Sequence, residues 1–173
     1  MIAFERGGGF FIDEYASLEL FGSKFSMMRL SATSLRHGGG IYMGKNTNIT
    51  ASKAIFANAT ADKGSCIFFD DSTHYVDGIT CLDSLTIDSG ALQVTGGFVY
   101  LFNTNIYSSK SLKIGGGMYI GGKSVVEAHH LHVKDCKALN GGGVYVDGYS
   151  SFLARTSLLE KNTAVVGGGA MVV

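Results

Sequence analysis

Proline is absent from all 173 residues, where average usage would give roughly eight. Proline donates no N–H to a backbone ladder and is excluded from central strands. A chain without it can pair along its whole length. Charge is scarce and balanced: 14 Lys and Arg offset 14 Asp and Glu, for a formal net charge of zero. Binding nucleic acid needs a basic face that releases phosphate counterions, and the composition offers none. An acidic membrane surface is disfavoured on the same ground. No run approaches the roughly 18 apolar residues of a membrane helix. The first residues, Met1 to Ile12, are broken by Glu5, Arg6 and glycines before any signal-peptide core could form. The three cysteines, Cys66, Cys81 and Cys136, make no CxxC or other metal pair. An odd count cannot pair fully within one chain, so small buried side chains are their expected role.

Glycine is abundant instead, 25 of 173 residues. Much of it falls in triplets before an apolar residue: Gly7-Gly8-Gly9, Gly38-Gly39-Gly40, Gly115-Gly116-Gly117, Gly141-Gly142-Gly143 and Gly167-Gly168-Gly169. Gly64-Ser65-Cys66 and Thr95-Gly96-Gly97 read as degraded copies. The starts at 7, 38, 64, 95, 115, 141 and 167 lie 31, 26, 31, 20, 26 and 26 residues apart. A repeat of this size is the mark of a solenoid. The 20-residue interval predicts a coil that has lost part of a strand. The 31-residue intervals predict insertions near Leu20 to Ser26 and near Asp77 to Asp83.

Aligning the copies gives apolar ladders. One residue after the triplet stand Phe10, Ile41, Ile67, Phe98, Met118 and Val144. Three after it stand Ile12, Met43, Phe69, Tyr100, Ile120 and Val146. Nine after it stand Leu18, Ile49, Tyr75, Ile106, Val126 and Phe152. Eight before the next triplet come Leu30, Phe56, Ile87, Tyr107, Val133 and Leu159; three before it come Leu35, Ala61, Leu92, Leu112, Ala138 and Ala164. Within each segment the alternation has period 2, the signature of strands. About three short strands per coil, stacked in register, predict an all-β fold: a right-handed parallel β-helix of about six to seven coils. Like positions then lie roughly 4.8 Å apart. The glycines suit a tight corner that needs positive φ. The whole chain, 1–173, reads as one β-helical segment of a longer protein, since neither end shows the polar cap a solenoid needs.

These motifs resemble the polymorphic outer membrane proteins of chlamydiae, which repeat GG-A-apolar and FxxN. The first motif stands as Gly168-Gly169-Ala170-Met171, and without alanine as Gly142-Gly143-Val144 and Gly39-Gly40-Ile41. The second is close at Leu159-Glu160-Lys161-Asn162. Ile55-Phe56-Ala57-Asn58 sits one residue out of register, and Val133-Lys134-Asp135-Cys136 and Ile87-Asp88-Ser89-Gly90 keep the spacing without the asparagine. The resemblance implies an exported β-helical stalk or passenger for surface display and adhesion, with no catalytic residues.

Three constellations could carry chemistry. Asp70 and Asp71 with His74 are the best candidates for the clustered carboxylates of a polysaccharide-cleaving β-helix, but the neighbouring coils offer no supporting set, although Asp13 and Asp147 recur at the same place. His130 and His132 would share one face of a strand and could hold a metal, but a third ligand is wanting. Asn46-Thr47-Asn48 and Asn103-Thr104-Asn105 sit at one offset and read as a shared turn. The strongest interaction candidate is a stripe two residues after each triplet: Phe11, Tyr42, Phe68, Val99, Tyr119 and Tyr145. Alternation points these outward, and an exposed aromatic row marks a contact with another chain or a glycan, unless the rings only stack on one another.

The expected function is a structural or adhesive module of an extracellular or cell-surface assembly. It would act through lateral and end-to-end contacts with protein subunits or further coils, with glycans as a further class of partner. The aromatic residues Phe11, Tyr42, Phe68, Tyr119 and Tyr145 are its expected partner-binding set. No enzyme activity, cofactor, metal, nucleic acid or membrane span is expected. The alternative is a carbohydrate-binding or polysaccharide-active, pectate-lyase-like fragment.

Overall fold

Backbone pairing decides the register. The computed structural model describes residues 2–3, 6–30 and 37–173. Among them there is no helix, and the strands pair in parallel across one coil. The result is an all-β parallel solenoid.

Each coil has four sides rather than the three expected. Strands such as Ile41–Met43, Met118–Gly121 and Val144–Val146 make the first side. Asn48–Ser52, Val125–His129 and Ser151–Arg155 lie on the second. The third holds Ala54–Ala57, Ile79–Leu82, Asn105–Tyr107 and His132–Lys134. The fourth holds Thr60–Lys63, Leu85–Ser89, Lys110–Ser111, Lys137–Asn140 and Thr163–Gly167. Two long strands, Ile67–Asp77 and Leu92–Phe102, run through the first and second sides without a break.

Corners between sides are marked by left-handed residues stacked in columns. One column runs Met27, Asn58, Asp83, Ser108, Asp135, Lys161. Another runs Gly22, Lys53, Gly78, Asn103, His130, Thr156. The glycine corner runs Gly7, Gly38, Gly64, Gly90, Gly115, Gly141, Gly168.

That last column corrects the alignment. Phe10, Ile41, Ile67, Leu92, Met118, Val144 and Met171 pair in succession on the first side. Their spacing is 31, 26, 25, 26, 26 and 27 residues. The fourth corner is therefore Gly90-Ala91, and Gly96 and Gly97, at φ +83° and +74°, turn the next corner of the same coil. No coil is truncated, and no insertion lies near Asp77 to Asp83. The five extra residues of the first interval fall between Leu30 and His37, not near Leu20 to Ser26, because Arg29 pairs Thr60 and Arg6 bridges His37 at an offset of 31. Leu35 lies outside the described residues. The last triplet also moves by one: Gly141 stacks on Gly168, not Gly167.

The interior rows follow. Val94, not Tyr100, continues Met43, Phe69, Ile120 and Val146. Phe25, Phe56, Cys81, Ile106, Val133 and Leu159 form the third-side row, so Ile106 moves here and Leu30, Ile87 and Tyr107 leave. Phe98, Tyr75, Ile87 and Leu112, all expected inside, are exposed. On the fourth side the inward row is Ala61, Thr86, Ser111, Ala138 and Ala164. Ile49, Val126 and Val133 are fully buried as expected. Phe152 keeps its predicted register against Val126 but is only half-buried, packing on the core from the last full coil.

The interior also holds a disulfide. Cys66, at the glycine corner, is joined to Cys81 on the third side of the same coil, 15 residues on. Cys136 is a free, buried thiol, its pKa pushed up to about 11 by burial. Closing a 15-residue loop should stabilise the fold by about 3 kcal/mol. Replacing both Cys66 and Cys81 by Ala is expected to lower the unfolding free energy by that amount in urea titrations. Reductant should then cease to affect stability. A double variant as stable as the parent would show that the bridge does not form.

Candidate functional site

The outer surface folds inward where the fourth side meets the first. There a cleft of about 510 Å³ runs along the glycine corner. One wall is the outward row of the first side: Tyr42, Phe68, Gln93 and Tyr119 line the cleft, and Phe11 and Tyr145 continue the row beyond it, paired in register. The other is the last residue before successive corners: Arg6, His37, Lys63, Ser89 and Ile114.

The first wall is the expected aromatic stripe with one member exchanged. Val99 points into the core, and Gln93 takes its place. The rings lie on one another: Phe11 on Tyr42 at 5.3 Å, Tyr42 on Phe68 at 5.5 Å, and Tyr119 on Tyr145 at 6.1 Å, all near-parallel. His37 stacks on Phe68 at 4.6 Å, and the Arg6 guanidinium sits 4.9 Å from the Tyr42 ring centre. The stripe is therefore not a uniformly exposed row. Tyr42 and Phe68 are buried, Tyr119 and Tyr145 are half-buried, and only Phe11 is exposed, at 47%. Gln93 breaks the stack. It accepts from Ser89 Oγ and donates from Nε2 to Thr95 Oγ1 at 3.1 Å.

Each outward tyrosine that has a glycine two residues on is fixed by a carboxylate in the next coil. Tyr42 Oη donates to Asp70 Oδ2 at 2.6 Å, and Tyr119 Oη to Asp147 Oδ2 at 3.3 Å. Gly44 and Gly121 follow at the places where other coils have Asp13, Asp70 and Asp147. A Cβ on Gly121 would lie 2.3 Å from Tyr119 Oη. Burial, and then the Asp70 hydrogen bond, raise the Tyr42 pKa well above its usual value. Burial and the Asp147 charge push Tyr119 up to about 12. Both phenols are donors held in place. The sequence signal was Tyr-x-Gly followed one coil later by Asp at the glycine's position.

This takes the Asp70–Asp71–His74 set apart. Asp70 is engaged by Tyr42, and Asp71, at φ +32°, faces Lys45 at 3.9 Å. His74 points the other way. It pairs Val99, which pairs Val126, so the imidazole stands in a row of core aliphatics. It is fully buried, neither ring nitrogen has a hydrogen-bond partner, and its ring lies 4.9 Å from Phe69. Burial lowers its pKa to about 4, against the opposing pull of Asp70. The three residues form no hydrogen-bonded set.

The histidine pair is also divided. His130 occupies a left-handed corner at φ +55° and is exposed, whereas His132 lies on the third side. There His132 contacts Tyr107 Oη at 3.0 Å and Glu160 at 3.1 Å. His129 lies 3.1 Å from Glu127. No group of three or more His, Cys, Asp or Glu among the described residues could hold a metal. Asn46 and Asn103 are both left-handed, at φ +54° and +47°, but occupy different corners, so they do not share a turn.

No family model matches the chain, and no curated protein or solved structure matches it. No helix among the described residues is long and apolar enough to cross a membrane.

One part of the FxxN-like motif has a visible role. Asn162, three residues after inward Leu159, turns inward and ties two coils together. Its Oδ1 accepts from Cys136 N at 3.0 Å, and its Nδ2 donates to Val133 O at 2.9 Å. Asn58 instead occupies an exposed left-handed corner, as its shifted register suggests. Ile87-Asp88-Ser89-Gly90 is not equivalent to Leu159–Asn162; Cys81–Ser84 is.

Proposed function

We propose that the chain is a structural or adhesive β-solenoid module of an extracellular or cell-surface assembly, one that works by contact with other protein surfaces. The observation that carries this reading is the outer face of the fourth side. It displays Leu85 and Ile87 on one coil and Leu112, Leu139 and Val165 on the next three, all exposed. A contiguous apolar patch is more than scattered surface residues require and marks an interaction surface. The Cys66–Cys81 bridge supports an oxidising compartment. The Asn162 bridge and the glycine corners fit the resemblance to chlamydial polymorphic outer membrane proteins, which stays part of this proposal. The glycan alternative has less support, because the aromatic faces in the cleft are covered by one another, by His37 and by Arg6.

An antibody against the chain should label intact source cells without permeabilisation. Mass spectrometry of the native protein should recover the Cys66–Cys81 bridged peptide. Labelling only after permeabilisation, with both thiols free, would overturn the reading.

A further inference from the structure

The fourth side carries two parallel columns on its outer face. In the first, Leu85 pairs Lys110, Lys110 pairs Lys137, and Lys137 pairs Thr163. Two residues further along each strand come Ile87, Leu112, Leu139 and Val165, exposed by 38 to 81%. Between the columns lies a shallow, mostly apolar depression of about 230 Å³, lined by Lys110, Leu112, Lys137, Leu139 and Val165 among others. Lys110 and Lys137 stand directly opposite each other and make no ion pair among the described residues. Like charges facing across a parallel pair are destabilising, and a carboxylate laid across both would relieve that repulsion. The nearby Asp88 is already engaged by Lys113.

The same chain carries the matching surface at its other end. Asp13, Glu14 and Glu19 are exposed and make no ion pair among the described residues. Beside them stand two exposed rings, Tyr15 at 81% and Phe21 at 63%. Glu19 and Phe21 project from one face of Ser17–Phe21. Acidic groups interleaved with large apolar side chains are what the lysine and aliphatic columns would recognise.

We propose that the lysine–aliphatic face of the fourth side docks the 13–21 segment of a second copy of this chain. The inference rests on the contact-module reading and names its partner. The two patches differ, so the contact is head-to-tail and propagates unless rotation closes it. Two lysine faces would repel, which disfavours a symmetric dimer through this side. The contact pairs lysines with carboxylates at an exposed surface, so association is sensitive to salt.

Sedimentation velocity across a concentration series tests this. Association should weaken about tenfold between roughly 50 and 500 mM salt. Lys110→Glu with Lys137→Glu should weaken it about tenfold at low salt, and so should Glu14→Lys with Glu19→Lys. Mixing the two charge-reversed proteins leaves the reversed faces complementary, so association should return in the mixture only. Leu112→Ser with Leu139→Ser should weaken association at every salt concentration. A chain that stays monomeric at low salt would overturn the proposal. So would association indifferent to these variants, which would place the contact at the ends of the solenoid. A monomer found on the cell surface defeats this inference alone; an associating protein found only inside cells defeats the surface assignment alone.

Discussion

Acidification from pH 7 to pH 4 is expected to cost the protein about 3 kcal/mol of folding free energy through His74 alone. The folded state holds this imidazole neutral, with a pKa near 4 against 6.5 for a free side chain, because it is buried among aliphatic neighbours without a hydrogen-bond partner. Well above pH 6.5 neither state is protonated and the group leaves stability unchanged. As the pH falls below 6.5 the unfolded chain takes up a proton that the folded chain refuses, so stability declines. The loss is complete once the pH has passed the folded value near 4. Asp70 opposes the shift without cancelling it. Carboxylates elsewhere also titrate, so the informative quantity is the difference between the parent and His74→Val. Val99, the next residue of this row, shows that valine fits there. Urea titrations from pH 7.5 to 4 should show a steeper loss for the parent than for the variant. At pH 7 the variant should be at least as stable, since two unsatisfied buried nitrogens are removed. Parallel pH profiles for the two proteins would sink the argument.

His74 also shows where reading the sequence succeeds and where it fails. Where the triglycine repeat is intact, period and alternation place Ile41, Met43, Met118, Ile120, Val144 and Val146 correctly in the core, because each strand is anchored by its own corner. The fourth corner breaks this. Gly90-Ala91 has two residues where other copies have three, and it lacks a triglycine signature. The later Gly96-Gly97 carries a stronger glycine signal but turns a different corner. Anchoring on the wrong glycines slides the alignment six residues within that coil. Tyr100 and Phe98 then enter the core on paper, and Val94 and Leu92 lose their places. Tyr75, the ladder residue in the preceding coil, displaces His74 from its true row. The same six-residue slide puts Ile87 in the place of Cys81, and a slip of one position puts Leu112 in the place of Ser111 and reverses its side chain. The candidate site suffered in the same way. Phe11, Tyr42, Phe68, Tyr119 and Tyr145 were placed in one outward row from the alternation, but their cover could not be read. That cover comes from His37 and Arg6, which precede the corner.

The glycine corner should be intolerant of a single methyl group at its middle position. A Cβ on Gly116 would lie 2.4 Å from Gly142 O and 2.5 Å from Lys137 O. Both contacts are backbone carbonyls, and no flexible side chain can move aside. Gly116→Ala is therefore expected to destabilise the fold by about 3 kcal/mol or more, as overpacking against rigid backbone does. Gly22 is the control: at φ +56° it is left-handed, but a Cβ there meets nothing within 4 Å. Gly22→Ala should lose only about 1–2 kcal/mol for its backbone conformation. The middle position does carry a side chain once, at Ser65, which is fully buried. The Gly39 Cβ position faces Ser65 O, and that of Gly116 faces Gly142 O, so each middle residue lies under the middle residue of the next coil. Above Ser65 that residue is missing, because the next corner is Gly90-Ala91. Inserting a glycine between Gly90 and Ala91 should therefore destabilise the protein, and Ser65→Gly should recover part of the loss. Unfolding free energies for the four proteins test the arrangement. Gly116→Ala no more harmful than Gly22→Ala, or an insertion indifferent to the residue at 65, would show that the corner is not close-packed in this way.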